Sequence, residues 1–200
     1  MVNIGLPKGN LLNSSCKIIK RALNTEISPG KLCFQGNGVR FVFLKHKDIP
    51  LMLQNHKLDY GITSSDWVME KGYNGNIIKE LEWCKTRISL IASAKISNDA
   101  FFAKENLSCV SEFPNITHQY FKQLNINVTV LPISGSSEAF IPHLYDCCVD
   151  CVETGETLRA NNLREIGTII LSNINLYSNC ASVKPCDNEK LKKLLEWCEI

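Results

Sequence analysis

The chain has no apolar run long enough to cross a bilayer, no basic cluster, no low-complexity segment and no internal repeat. A transmembrane helix needs roughly 20 consecutive, mostly apolar residues, so a membrane span is not expected. A net charge of +2 over 200 residues gives no electrostatic case for nucleic acid. The start, Met1-Val2-Asn3-Ile4-Gly5-Leu6-Pro7-Lys8-Gly9, reads as neither a signal nor a transit peptide, and a cytoplasmic protein is expected. Histidine is scarce, four in all; His118 and His143 fall on helical patterns and are assigned no chemistry.

Cysteine, by contrast, is plentiful at ten residues. Without an export signal a disulfide framework is not expected. Most of the cysteines sit in apolar patterns, as Cys33 does between Leu32 and Phe34, which points to buried, reduced thiols. Cys148-Val149-Asp150-Cys151 has CxxC spacing, but it lies inside a strand pattern and has no second pair at zinc-site spacing.

The remaining composition, 44% hydrophobic and 21% charged, is that of a globular protein with enough chain for one large domain or two lobes. Strand and helix patterns alternate, which predicts an α/β fold with mostly parallel sheets. Strands are expected at Val2–Leu6, Arg40–Leu44, Leu58–Ile62, Arg87–Ala94, Leu107–Val110, Val128–Ile133 and Cys147–Val152. Helices are expected at Leu11–Leu23, from Asp48 through Leu53 with Asp48 as N-cap, after Asp66, at Ile116–Leu124, near Ala139–Tyr145, at Leu158–Leu163 and at Asp187–Ile200. Ile166–Asn173 and Asn175–Val183 read as extended or mixed. Two lobes follow, residues 1–90 with 175–200 and residues 91–174, with a ligand cleft expected between them.

The most informative stretch is Asp150-Cys151-Val152-Glu153-Thr154-Gly155-Glu156-Thr157-Leu158. It reads as a strand, a glycine turn and a helix start. Backbone N–H groups and the hydroxyls of Thr154 and Thr157 gather there at the positive end of a helix dipole, which suits a phosphate monoester. An acid at the strand's end, Asp150 or Glu153, is placed to accept hydrogen bonds from sugar hydroxyls. Turn chemistry alone also explains the Thr and Gly, so the neighbouring motifs matter.

Those motifs are Leu6-Pro7-Lys8-Gly9-x-Leu11, Asp48-Ile49-Pro50, Leu58-Asp59-Tyr60-Gly61-Ile62-Thr63 with Asp66, Glu112-Phe113-Pro114-Asn115-Ile116-Thr117 with Tyr120-Phe121, and Ser134-Gly135-Ser136-x-Glu138. With Val149-Asp150-x-Val152-Glu153-Thr154-Gly155-x-Thr157-Leu158-Arg159-Ala160-Asn161 they form an ordered set. That set resembles the catalytic core of the ATP phosphoribosyltransferase family, the first enzyme of histidine biosynthesis, in its short form. The resemblance implies two lobes like those of periplasmic binding proteins, the second lobe carrying the phosphate loop. It implies Mg2+-dependent attack by N1 of ATP on the anomeric carbon of phosphoribosyl pyrophosphate (PRPP), with pyrophosphate leaving. It implies a homodimer and a histidyl-tRNA-synthetase-like regulatory subunit as partners.

Carried onto this sequence, Thr154, Gly155, Glu156, Thr157 and Leu158 would anchor the 5-phosphate, and Asp150 and Glu153 the ribose, directly or through Mg2+. Asp150, Glu153 and Lys8 are the catalytic candidates. Lys8, Gly9, Arg87 and Glu138 are the candidates for nucleotide or pyrophosphate, with Thr63 and Asp66 as lesser ones; Asp66 also reads as a helix cap. The metal ligands stay unassigned.

The chain departs from the family pattern at several points. Asn10 stands where arginine usually follows Lys-Gly, Lys45 replaces an arginine, Asn162 replaces a glycine, and the Ile141–Asp146 stretch is one residue short. Asparagine cannot supply arginine's forked contact to phosphate. Weaker ATP binding or a changed nucleophile both follow from that loss, so a paralogous phosphoribosyltransferase of specialised nucleoside metabolism is the alternative. A non-catalytic ligand-binding module with the same two-lobed form is the third reading. The resemblance to the short form implies a chain without the family's C-terminal regulatory domain, so free histidine at micromolar concentration is expected not to inhibit the purified chain in a steady-state assay.

Overall fold

In the computed structural model, which describes residues 1–179 and 188–199, the first strand β1 (Val2–Pro7) is buried along almost its whole length. Such a run is what a strand covered on both faces requires. A 3-10 turn, Gly9–Leu11, leads into α1 (Leu12–Leu23), whose Ile18, Ile19 and Ala22 face the core. Asn24 ends the helix in the left-handed conformation, with φ 48°.

Next comes a hairpin that the expected strands omitted. β2 (Cys33–Gly36) and β3 (Val39–Leu44) pair antiparallel across Asn37 and Gly38, both at positive φ, 53° and 76°. Asn-Gly is a strong two-residue hairpin signal. Alternation along β2 buries Phe34 and exposes Cys33, so the expected burial of that thiol is corrected. α2 (Ile49–Gln54) follows a 3-10 turn at His46–Asp48; Asp48 has helical dihedrals and makes no side-chain cap, contrary to expectation. Then come β4 (Tyr60–Ser64), α3 (Ser65–Glu70) and the long β5 (Asn76–Ser93).

The second set of elements is α4 (Asn98–Phe102), β6 (Leu107–Ser111), α5 (Pro114–Gln123), β7 (Val128–Pro132), β8 (Cys147–Val152) and α6 (Glu156–Ala160). Ser97 starts the unexpected α4 by accepting the Ala100 N–H at 3.2 Å. The helix expected near Ala139–Tyr145 is instead a 3-10 turn, Ser137–Phe140, followed by turns. Pro142 has no N–H to give a helix there. β9 (Leu163–Ser178) is one strand where two extended pieces were expected, and α7 (Asn188–Trp197) closes the described chain. Positions 180–183 of the expected extended stretch lie outside the described residues, as do the expected helix ends Asp187 and Ile200.

Contacts divide the chain into one unit of Met1–Cys84 with Asn173–Ile200 and another of Lys85–Ser172. In the first unit the strand order is β2-β3-β1-β4-β9, with β1 parallel to β3 and β4, and β4 antiparallel to β9. Its core joins Ile4, Leu6, Ile18, Phe41, Ile62 and Leu176 to Leu194 of α7. In the second unit the order is β9-β5-β8-β6-β7, with β8 antiparallel to β5 and parallel to β6. Ile91, Val110, Cys148, Val152, Leu158 and Leu163 form a core there. No helix among the described residues is long and apolar enough to cross a membrane.

Two glycines facing each other on neighbouring strands let α2 lie close on the first unit's sheet. Gly5 pairs with Gly61, and a Cβ at Gly61 would come within 2.6 Å of Ile49 Cγ2. Gly61→Ala is expected to cost about 1–3 kcal/mol in urea unfolding, because the helix must shift to admit one methyl group.

The same unit contains a pH-sensitive group. His46 is largely buried, its Nδ1 has no partner among the described residues, and burial lowers its pKa to about 4. The unfolded chain therefore binds the extra proton first, at about 6.5. The resulting stability is present above that value and is lost as pH falls towards about 4, by up to about 3 kcal/mol. Replacing His46 with Gln is expected to flatten that slope in denaturation curves taken across the same window.

Candidate active site

The phosphate-loop candidate begins where β8 ends. β8 is paired residue by residue to β5, from Arg87 opposite Val152 to Ala92 opposite Cys147, and to β6 on its other side. Val152 is buried, so the chain leaves the sheet from a fixed point. Gly155 then adopts φ 73°, a backbone state that favours glycine, and opens α6. A cavity of about 320 Å3 lies over this turn, lined by Glu138 and residues 151–158. It takes in Glu153, Thr154, Gly155, Glu156, Thr157 and Leu158 together, with Glu138 contributed by the 3-10 turn after Ser136.

The expected helix dipole is weak, because α6 has only five residues. Anion affinity must come from the loop's own N–H groups and hydroxyls. Among the described residues, the N–H groups of Thr154 and Gly155 meet no protein acceptor, while the Glu156 N–H points to Thr154 Oγ1 at 3.4 Å. Two successive loop carbonyls are held by arginines: Arg87 Nη1 donates to Glu153 O at 3.0 Å and Arg159 Nη1 to Thr154 O at 3.2 Å.

Asp150 is not among the lining residues. Its Oδ2 accepts from Ser137 Oγ at 2.5 Å and from the Ser137 N–H at 3.4 Å, and its Oδ1 accepts from the Cys151 N–H at 2.7 Å. The carboxylate thereby ties the turn carrying Glu138 to the end of β8. Glu112 Oε1 ties the same loop one step earlier, accepting the Gly135 N–H at 3.2 Å. Cys148 is buried and Cys151 exposed, because residues three apart on a strand face opposite sides. A CxxC metal pinch is thus ruled out by geometry.

Arg87, expected to meet nucleotide, is engaged by protein. Its Nε and Nη2 donate to Glu165 Oε2 and Oε1 at 2.7 and 2.6 Å, and Ser89 Oγ donates to Oε2 at 2.7 Å. Arginine's hydrogen bonds hold the Glu165 carboxyl below its usual range, and the bond to Glu165 raises Arg87 in turn. Sequence reasoning missed Glu165, Ser89, Ser137 and Arg159. Arg87 and Ser89 do sit on one strand face at i and i+2, a pattern that asks for a shared acidic partner without saying which.

The remaining candidates belong to the other unit. Lys8 precedes the Gly9–Leu11 turn, its N–H bonded to Leu44 O at 2.9 Å and its side chain half-buried. Gly9 has φ 76°. Thr63 is buried and donates to His46 O at 3.1 Å; buried Asp66 accepts from the Ser64 hydroxyl and the Trp67 N–H. Both of these have structural partners.

A family model described as ATP phosphoribosyltransferase (HisG) matches residues 45–199. An ATP phosphoribosyltransferase of Thermococcus gammatolerans is 35% identical over 182 residues, covering 90% of this chain and 88% of its own. One from Campylobacter concisus is 28% identical with the same two coverages. Among solved structures, an ATP phosphoribosyl transferase (HisG:HisZ) complex from Thermotoga maritima superposes with TM-score 0.89 at 23% identity, covering 100% of this chain and 99% of that one. A probable amino-acid ABC transporter extracellular-binding protein, ytmK of Bacillus subtilis, gives TM-score 0.56 at 8% identity over 98% and 89% of the two chains. These two likenesses show the fold: α/β, two-lobed, of periplasmic-binding-protein form.

Ser137 makes both a hydroxyl and an N–H contact to Asp150, so Ser137→Ala removes the stronger of the two. A loss of roughly 1–3 kcal/mol in chemical denaturation is expected, as for a hydrogen bond to a charged group.

Proposed function

Because the chain belongs to the ATP phosphoribosyltransferase family, we propose that it transfers the 5-phosphoribosyl group of PRPP to N1 of ATP, giving phosphoribosyl-ATP and pyrophosphate in histidine biosynthesis. The observation that carries this reading is the loop from Glu153 to Leu158 lining one cavity, with N–H groups at Thr154 and Gly155 that meet no protein acceptor among the described residues, and with two threonine hydroxyls. That set can take the oxygens of a phosphate monoester and so fix one end of the sugar. Glu153, exposed at the cavity, accepts from ribose hydroxyls and favours positive charge growing on the sugar as the bond to pyrophosphate breaks. N1 of adenine supplies the electron pair for the new bond, and pyrophosphate leaves with the old one. Lys8 and Gly9 are the candidates for polyphosphate, and Glu138 lines the cavity.

Among the described residues no group of three or more His, Cys, Asp or Glu side chains could hold a metal ion. That donor chemistry fits Mg2+ arriving on substrate phosphates, since magnesium commonly takes one or two carboxylates beside them. Glu138, Glu153 and Glu156 are the carboxylates at the cavity that could face it, and the ion would neutralise charge on the departing pyrophosphate. Assembly as a homodimer and with a second subunit, as in the Thermotoga maritima complex, belongs to the same proposal.

Mass spectrometry of products from ATP, PRPP and Mg2+, with pyrophosphatase present and with or without a HisZ-like subunit, tests it. Phosphoribosyl-ATP is the expected product. PRPP consumed with another purine would favour the paralogue reading, and PRPP bound but intact would favour a binding module. In the active enzyme, Thr157→Val should raise KM for PRPP about tenfold, the worth of one charged hydrogen bond, and leave KM for ATP in place.

A further inference from the structure

Arg87 and Arg159 stand next to the phosphate loop, and each is a natural candidate for a phosphate ligand. Neither lines the cavity. Each donates instead to a loop carbonyl: Arg87 Nη1 to Glu153 O at 3.0 Å, Arg159 Nη1 to Thr154 O at 3.2 Å. A trans peptide is planar, so its C=O and the following N–H point in opposite directions. Holding Glu153 O therefore aims the Thr154 N–H, and holding Thr154 O aims the Gly155 N–H. Neither of those N–H groups meets a protein acceptor among the described residues.

From this geometry we propose that Arg87 and Arg159 are positioning residues that act from behind the loop, drawing two successive carbonyls away from the anion and turning their N–H partners towards it. The inference rests on the phosphate-loop reading above and deepens it. A loop glycine at φ 73° allows peptide rotation that other residues resist, so this turn needs such restraint. A carbonyl turned into the cavity would oppose a phosphate dianion as firmly as an N–H attracts it.

The two tethers differ in what holds them. Arg159 belongs to α6, and its side-chain nitrogen lies 3.4 Å from where a Cβ on Gly155 would sit. Arg87 is held by a fork to Glu165, itself fixed by Ser89 Oγ at 2.7 Å. Arg87 thus links β5 and β9 to the first loop peptide. Its guanidinium charge is matched by Glu165, leaving its geometry as its contribution.

Steady-state kinetics of the enzyme, with its second subunit where activity requires one, separates a tether from a ligand. Arg87→Lys keeps the charge but loses the fork, and Glu165→Gln keeps the arginine but loosens it. A tether predicts that each raises KM for PRPP roughly tenfold with KM for ATP unmoved, and that the double variant is no worse than the poorer single. A phosphate ligand predicts that the Arg87→Lys variant retains most PRPP affinity and that loosening Arg87 through Glu165→Gln tightens it; that result would overturn the proposal. Arg159→Met, at an exposed position, should give the same KM split by itself. Amide 1H–15N shifts of Thr154 and Gly155 in the ligand-free protein provide a readout independent of turnover. If they move in the Arg variants but wild type neither binds nor consumes PRPP, the functional reading has failed and the tether stands. If neither the shifts nor KM move, the tether is wrong.

Discussion

Hydrogen bonding along both edges of β8 is the constraint on which the candidate site depends. With β5 on one side and β6 on the other, the strand can neither slide nor rotate without breaking a ladder. A one-residue slip would also exchange its buried and exposed faces. Several contacts that shape the cavity are referred to this strand. Asp150 reaches from it to Ser137, Val152 anchors the loop's first residue in the core, and Arg87 sits in register opposite Val152. The loop itself has little regular structure, with a short helix behind it, so its precision is borrowed from the sheet.

Polar contacts then convert that precision into a binding geometry. The acidic groups divide the work: Asp150 and Glu165 are spent on protein partners, while Glu138, Glu153 and Glu156 line the cavity. Such division is physically reasonable, because a carboxylate aimed at a phosphate repels it unless sugar hydroxyls or a cation intervene.

The strand, glycine turn and phosphate loop were legible in the sequence because their signals are local. Cys147–Val152 is a continuous apolar run, and Gly155 falls where only an unusual φ closes the turn. The hairpin at Asn37-Gly38 carries an equally local signal in its two-residue turn. Proximity along the chain misled at Cys33, where apolar neighbours suggested burial and strand alternation exposed the thiol. The apolar spacing of Ala139–Tyr145 suggested a helix that Pro142 forbids. What could not be read was long-range pairing. Arg87 and Glu165 are 78 positions apart, and no periodic pattern carries a contact between two strands that the chain visits so far apart. An arginine in a strand near a phosphate loop looks like a ligand until its acceptor is seen.

The Lys85–Ser172 unit is a single uninterrupted stretch, whereas the other unit is assembled from both ends of the chain. In the latter, β4 pairs with Ile174–Ser178, and Leu194 of α7 completes its core. As the chain emerges from a ribosome, every residue of the phosphate-loop unit is present once Ser172 appears, whereas the other unit's core still waits for Leu194. The order of synthesis therefore runs against the order of numbering: the middle of the protein can mature first, while its beginning waits for its end.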